Sequence, residues 1–153
     1  FLELGRSCVA PAYRDKRTVE LLWHGIWTYV RQHKIDAMFG CASFSGTDTD
    51  ALAVPLSFLH HKALAPTEWQ VKARPERLIP MDSLALTSID HRAALALLPP
   101  LIKGYLRVGA RFGEGAVIDQ QFGTTDVLVI LPVESIQARY INHFGHEAER
   151  FAA

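Results

Sequence analysis

Leu2-Glu-Leu-Gly-Arg-Ser-Cys-Val-Ala10 and Asp36-Ala-Met-Phe-Gly-Cys-Ala-Ser-Phe44, with an amphipathic stretch between them, decide the fold. Residues 2–10 read as a strand. Leu2, Leu4 and Cys8 fall on one face by the two-residue period, with Glu3 and Val9 opposite, and Pro11 ends the run. In residues 18–33, Val19, Leu22, Ile26, Tyr29 and Val30 recur at helical spacing, and Asp15 or Thr18 can cap the start. Residues 36–44 form a second strand, closed by Ser45-Gly-Thr-Asp48. Strand, helix and strand within about 45 residues make a βαβ unit, so the two strands should be neighbours and parallel.

Outward from this unit the pattern stays mixed. Asp48 or Asp50 can cap a helix that runs to about Lys62. Pro66, Pro75 and Pro80 mark residues 65–90 as an irregular excursion. A helix is expected over 91–98. Pro99-Pro100 punctuates, and another helix reaches Val108 with Gly109 just past its end. Residues 115–122 and 126–131 read as strands around Gly123-Thr-Thr125, a hairpin-sized connection. A last helix is expected over 133–144.

Composition sets the class. The 153 residues are 49% apolar and 21% charged, enough for one domain, or a piece of one, with a real core. Sixteen basic and sixteen acidic residues cancel, which removes the basic footprint of a nucleic-acid binder. No apolar run approaches the roughly 20 residues that span a bilayer. Residues 1–6 lack a signal-peptide pattern. Cys8 and Cys41 do not make a disulfide framework, so a reducing cytoplasm is expected. The chain opens without Met and inside an expected strand, so a further N-terminal portion is expected upstream.

Three constellations could carry chemistry. Tyr13-Arg-Asp-Lys-Arg17 feeds a helix N-terminus, where free N–H groups, the helix dipole and cations could cradle a phosphate; the plain alternative is a solvated basic turn. Glu3-x-x-Arg6 puts a carboxylate and a guanidinium on opposite sides of a strand. They could be a base and a carboxylate clamp, or structural charges on a wet face. Phe39-Gly-Cys-Ala-Ser-Phe-Ser-Gly-Thr-Asp48 ends a parallel strand in small residues, where open α/β sheets put ligands. Ser43 lacks the flanking glycines of a hydrolase elbow, and Cys41 reads as an inert thiol more readily than as a nucleophile. His60-His61, His91, His143 and His146 show no metal-ligand spacing, so no metal is expected.

Taken in order, these segments resemble the ornithine N-acyltransferases, a family also labelled hemolysins and related to the acyl-homoserine-lactone synthases and N-acyl amino acid synthases. The resemblance is carried by residues 2–14, by Leu21-Leu-Trp-His-Gly-Ile26, by residues 39–48, by Leu98-Pro-Pro-Leu-Ile-Lys-Gly-Tyr-Leu-Arg-Val-Gly-Ala110 and by Ile118-Asp-x-x-Phe-x-Thr-Thr-Asp126. It implies an α/β (α+β) GNAT-like fold, with a mixed central sheet whose two parallel strands splay around the donor's pantetheine arm. Residues 1–153 would be the C-terminal part of that single domain, with its N-terminal part missing. It also implies an acyl-carrier-protein thioester donor, often 3-hydroxyacyl, a small amino-acid acceptor and no cofactor.

In this reading Glu3 and Arg6 match the Glu-x-x-Arg pair of the lactone synthases and take its roles in amine activation and shaping the site. Cys8, Val9, Ala10, Tyr13, Arg14, Lys16, Arg17 and Ser43 would contact the phosphopantetheine. The amine would attack the thioester directly, with Glu3 as base and amides near Cys8–Ala10 holding the oxyanion. The implied setting is the cytoplasm, extending to the inner membrane face by peripheral association and to self-association, with no nucleic acid. Two rivals stand: an acyltransferase with another amine acceptor or an acyl-CoA donor, and a non-catalytic GNAT-like binding domain.

Overall fold

The structure, a computed structural model, describes residues 1–5 and 7–136, and of Lys16 the backbone. Along the chain run β1 (Leu2–Glu3), α1 (Lys16–Gln32), β2 (Ala37–Ser45), α2 (Ala53–Ala63), α3 (His91–Leu97), α4 (Pro100–Val108), β3 (Arg111–Asp119) and β4 (Thr124–Pro132). The strands form one sheet in the order β1-β2-β4-β3. β1 is parallel to β2, and the other pairs are antiparallel. The expected mixed α/β class and βαβ unit are therefore present.

Local chemistry sets the ends of α1. The Asp15 carboxylate accepts the Thr18 N–H at 2.7 Å, a cap worth about 1 kcal/mol. Lys34, at φ 50, turns the chain out of the helix. The face that α1 buries keeps Ile26 and Val30 of the expected stripe and loses the rest. Trp27 and Val30 enter the core, whereas Val19, Leu22 and Tyr29 stay exposed. The Trp23 ring instead meets Tyr105 of α4 edge-on at 5.8 Å. A helix this rich in apolar residues offers two stripes, and the sheet selects the one with the Trp27 ring.

The sheet has two unlike faces. Met38, Ala42, Phe44, Val127, Val129 and Leu131 join Trp27, Val30, Leu56, Leu59, Ala94 and Ile102 from the four helices in one core. Each Val, Leu, Ile, Met or Phe among them contributes about 1.5–3 kcal/mol by leaving water. The opposite face, with Glu3, Phe39, Cys41, Ser43, Asp126 and Leu128, follows from the two-residue alternation along β2 and β4. No described α-helix covers it; the 3-10 turn Thr67–Trp69 of the excursion borders it.

Four boundaries differ from the sequence reading, among them the β3–β4 hairpin, whose turn falls at 120–123 because Thr124 and Thr125 already pair within β4. The strand expected over 2–10 pairs only at Leu2–Glu3, because after Leu4 the chain turns away from β2 and gains no other partner among the described residues. β3 starts at Arg111, earlier than expected, and a bulge between Phe112 and Ala116 absorbs its glycines. Gly115 there has φ 84, and a Cβ would meet Leu78 at 2.8 Å, so the bulge needs glycine. The excursion over 65–90 lies along this bulge, through bridges Lys72↔Glu114 and Ile79↔Ala116. At the C-terminal end, Val133–Ser135 is a single 3-10 turn; the rest of the helix expected over 133–144 lies outside the described residues beyond Ile136.

Candidate active site

The site is built where β1 and β2 part. Leu2 faces Met38 and Glu3 faces Phe39, and the Leu4 N–H donates to the Phe39 carbonyl at 2.7 Å. β2 then continues to Ser45 against β4 alone. Backbone groups alternate sides along a strand, so those of Cys41 and Ser43 point toward the edge that β1 has left. Gly40 sits at the fork. A Cβ there would lie 2.6 Å from the Leu4 carbonyl oxygen, so only glycine lets the strands meet before diverging.

From the fork, residues 7–10 cross to a short turn at Pro11–Tyr13 and then to α1. Cys8 and Ala10 are exposed and Val9 is half-buried. Their amides make no backbone hydrogen bond among the described residues. Arg14 Nε donates to the Val9 carbonyl at 2.9 Å, which ties the loop to the basic turn and leaves other guanidinium N–H groups outward. Arg17 is exposed and Tyr13 is 66% exposed. Lys16 is the first residue of α1. The Asp15 carboxylate occupies one of the helix-start amides, so the expected anion cradle rests on Arg14, Arg17 and the remaining N–H groups. Arg6, expected beside Glu3 as the second residue of the Glu-x-x-Arg motif, lies outside the described residues.

Glu3 is exposed on the helix-free face, its Oε1 3.2 Å from where a Gly5 Cβ would stand. Along that face come Cys41 and Ser43, with Asp126 directly across from Ser43. Burial pushes the Cys41 thiol up, and the negative charges of Asp126 and Glu3 push it further. A thiol held protonated in this way is a poor nucleophile, which argues against an acyl-cysteine.

Two cavities open on the same face. One, of about 430 Å³, is walled by Phe1, Phe39, Trp69, Val71, Leu128 and Ile130, close to Glu3. The other, of about 110 Å³, is lined by Cys41, Lys72, Glu114, Val117, Asp126 and Leu128. Neither was legible as a site, because each joins residues from β2, β4 and the 65–90 excursion. The available signal was Asp126, a carboxylate in an apolar strand run. No group of His, Cys, Asp and Glu among the described residues is arranged to hold a metal ion. No described helix is long and apolar enough to cross a membrane.

Known proteins bear on this geometry. Residues 1–24, which hold β1, the loop and the start of α1, match the acetyltransferase (GNAT) domain. The chain is 59% identical over 150 residues to an L-ornithine N(alpha)-acyltransferase of Brucella abortus, covering 98% of this chain and 53% of that protein. It is 59% identical to the Agrobacterium fabrum protein of the same name, covering 98% and 51%. With the Rhizobium meliloti one it shares 56% identity, covering 100% and 52%. No solved structure matches. The chain thus spans about half the length of the curated relatives it matches. Over nearly all of its own length, this mixed α/β chain with a GNAT segment at its start is a relative of the L-ornithine N(alpha)-acyltransferases.

Proposed function

We propose that this chain carries the donor gap and the base of an N-acyltransferase. It moves a fatty acyl group, commonly 3-hydroxyacyl, from an acyl-carrier-protein thioester to the α-amine of ornithine, which makes a lyso-ornithine lipid. The chain is one part of a single acyltransferase domain, working at the cytoplasmic side of the membrane that receives its product. The observation that carries this reading is the parting of β1 and β2 beside Glu3.

A thioester donor has an extended arm with two amide groups, and a vacated strand edge is a surface that such an arm can pair with. Arg14, Lys16 and Arg17 would receive the phosphate at the end of the arm, and the apolar cavity at Phe39 and Trp69 would take the acyl chain. The neutral amine attacks the thioester carbon and a C–N bond forms. Its proton passes through water to Glu3, while the amides of Cys8, Val9 and Ala10 hold the oxyanion. The intermediate then expels the thiolate as the C–S bond breaks, and the thiolate takes up a proton.

The test is to incubate the intact polypeptide with acyl-carrier-protein or acyl-CoA thioesters and a panel of amino acids, reading thiol release and the N-acyl product by mass spectrometry. Ornithine with the carrier-protein thioester should give the fastest reaction. Preference for acyl-CoA or for another amine would redirect the substrate assignment. Carrier-protein binding without acyl transfer would leave a binding module.

A further inference from the structure

The Ile118–Asp126 motif is accounted for residue by residue, up to its last charge. Asp119 Oδ1 accepts the Gln121 and Phe122 N–H groups and closes the hairpin turn. Thr125 is fully buried and its hydroxyl donates to the Gly46 carbonyl at 2.9 Å, locking the far end of β2. Thr124 Oγ1 donates to Asp126 Oδ1 at 2.9 Å. Asp126 thus has one oxygen engaged, and no cation pairs with it among the described residues. It is half-buried, and a charge so placed calls for a counter-charge.

The 110 Å³ cavity on this face sharpens the point. Its lining holds three ionisable residues besides Cys41: Lys72, Glu114 and Asp126. Lys72 Nζ and Glu114 Oε1 are 2.6 Å apart and neutralise each other, which leaves Asp126 as the uncompensated charge. Val117 and Leu128 supply apolar wall. A short methylene chain that ends in a cation fits these walls and this charge, and the volume admits a few non-hydrogen atoms.

The distance to Glu3 narrows the ligand further. The register puts Glu3 and Asp126 two strands apart and four residues along the sheet, about 16 Å between Cα atoms. The Glu3 side chain leans along β1, its Oε1 3.2 Å from the Gly5 Cβ position, which takes up several ångströms of that span. An α-amino acid with a three-methylene side-chain amine holds its two nitrogens about 6 Å apart, and a hydrogen bond at each end extends the reach to about 12 Å. Both carboxylates also act on Cys41, which lies between them.

We propose that Asp126 is the specificity residue for the acceptor: its free carboxylate oxygen binds the side-chain ammonium of a diamino acid, whose methylenes lie in the cavity at Cys41 while its α-amine faces Glu3. This rests on the acyltransferase reading above and adds to it the part of the site that tells ornithine from a neutral amino acid of the same length.

The experiment compares wild type, Asp126→Asn and Asp126→Glu in the intact polypeptide, measuring kcat/KM with one acyl-carrier-protein thioester. The acceptors are ornithine, norvaline (the same carbon skeleton without the terminal amine) and 2,4-diaminobutyrate, one methylene shorter than ornithine. Wild type should prefer ornithine to norvaline. Asp126→Asn, which keeps a carbonyl oxygen for Thr124, should lower that preference about 10- to 100-fold, the usual worth of a hydrogen bond to a charged group. Asp126→Glu pushes the carboxylate one methylene further into the cavity and should shift preference toward 2,4-diaminobutyrate. A preference unchanged in Asp126→Asn overturns the proposal, as does a longer-chain preference in Asp126→Glu. A wild type that acylates norvaline as well as ornithine overturns it while leaving the acyltransferase reading standing. A wild type that acylates no amino acid overturns both.

Discussion

Gly40→Ala tests whether the fork between β1 and β2 is built by close contact. The new Cβ would stand 2.6 Å from the Leu4 carbonyl oxygen, a backbone atom with no rotamer to yield. Relief needs a separation of about half an ångström or more, and overpacking of this kind costs about 1–3 kcal/mol. The Leu4 N–H bond to the Phe39 carbonyl, now 2.7 Å, lies on the same two residues and stretches as the strands separate. Losing it adds about 1 kcal/mol. Gly40 has no positive φ, so strain in its own conformation adds nothing. The total, about 2–4 kcal/mol, corresponds to a Tm fall of about 4–16 °C for a chain of this size. Gly25→Ala in α1 is the control. No atom lies within 4 Å of its Cβ position, so helix propensity should raise stability by about 0.5–1 kcal/mol. Calorimetry on both variants, with donor titration, reads the outcome. If Gly40→Ala melts with the wild type and binds donor equally well, the strands do not meet as described, and the gap has another origin.

The remaining predictions concern the charges around that gap. Glu3→Gln keeps the shape and removes the base, so kcat should fall about 10²–10⁴-fold with donor affinity nearly retained; steady-state kinetics beside donor titration separates the two. Reversing Arg14 and Arg17 to Glu should weaken donor binding most at low salt, since exposed charges are screened beyond about 8 Å at physiological ionic strength; equal affinity in both salts would remove the phosphate cradle. Cys41 should react with iodoacetamide only at alkaline pH, because burial, then Asp126 and Glu3, raise its thiol. Asp126→Asn removes the second of these causes, so the midpoint of the alkylation-rate profile should move to lower pH.

The βαβ unit was legible because the apolar period changes from two to 3.6 and back, and local spacing survives folding. The early end of β1 was not. Residues 5–10 differ little from strand residues in composition, and only the departure of β2 as a partner ends the ladder. The start of β3 was hidden for the opposite reason. Phe112 and Ala116 are core residues, but Gly113 and Gly115 between them read as a turn until the 65–90 excursion packs on the bulge. At the site, Glu3 and the basic turn stand out as charges in or beside apolar runs. The cavity at Cys41 does not, because Ser43 and Asp126 meet only through the β2–β4 register. The misjudged stripe of α1 has the same origin, since either face could have been buried and the choice was tertiary.

The charges around the gap are separated by sign. At its outer end the Arg14–Arg17 turn carries three cations against the single carboxylate of Asp15. On the open face stand the carboxylates of Glu3 and Asp126, while Lys72, which lines the cavity with Asp126, is paired with Glu114. On the proposed function, a donor with its anionic end at the turn would direct its thioester toward the fork, and an acceptor bearing an ammonium would be drawn to the carboxylates. The unpaired backbone edge at Cys41 and Ser43 lies between the two. Left dry, each such group would cost about 1–3 kcal/mol, so it is kept wet or paired with an amide-bearing arm. Parting the strands after Leu4 gives up a few ladder hydrogen bonds in the free protein, and on the proposed function a donor arm of the right length would restore them. On that proposal the bound donor, and not β1, is the element that would complete the edge of β2 beyond Phe39.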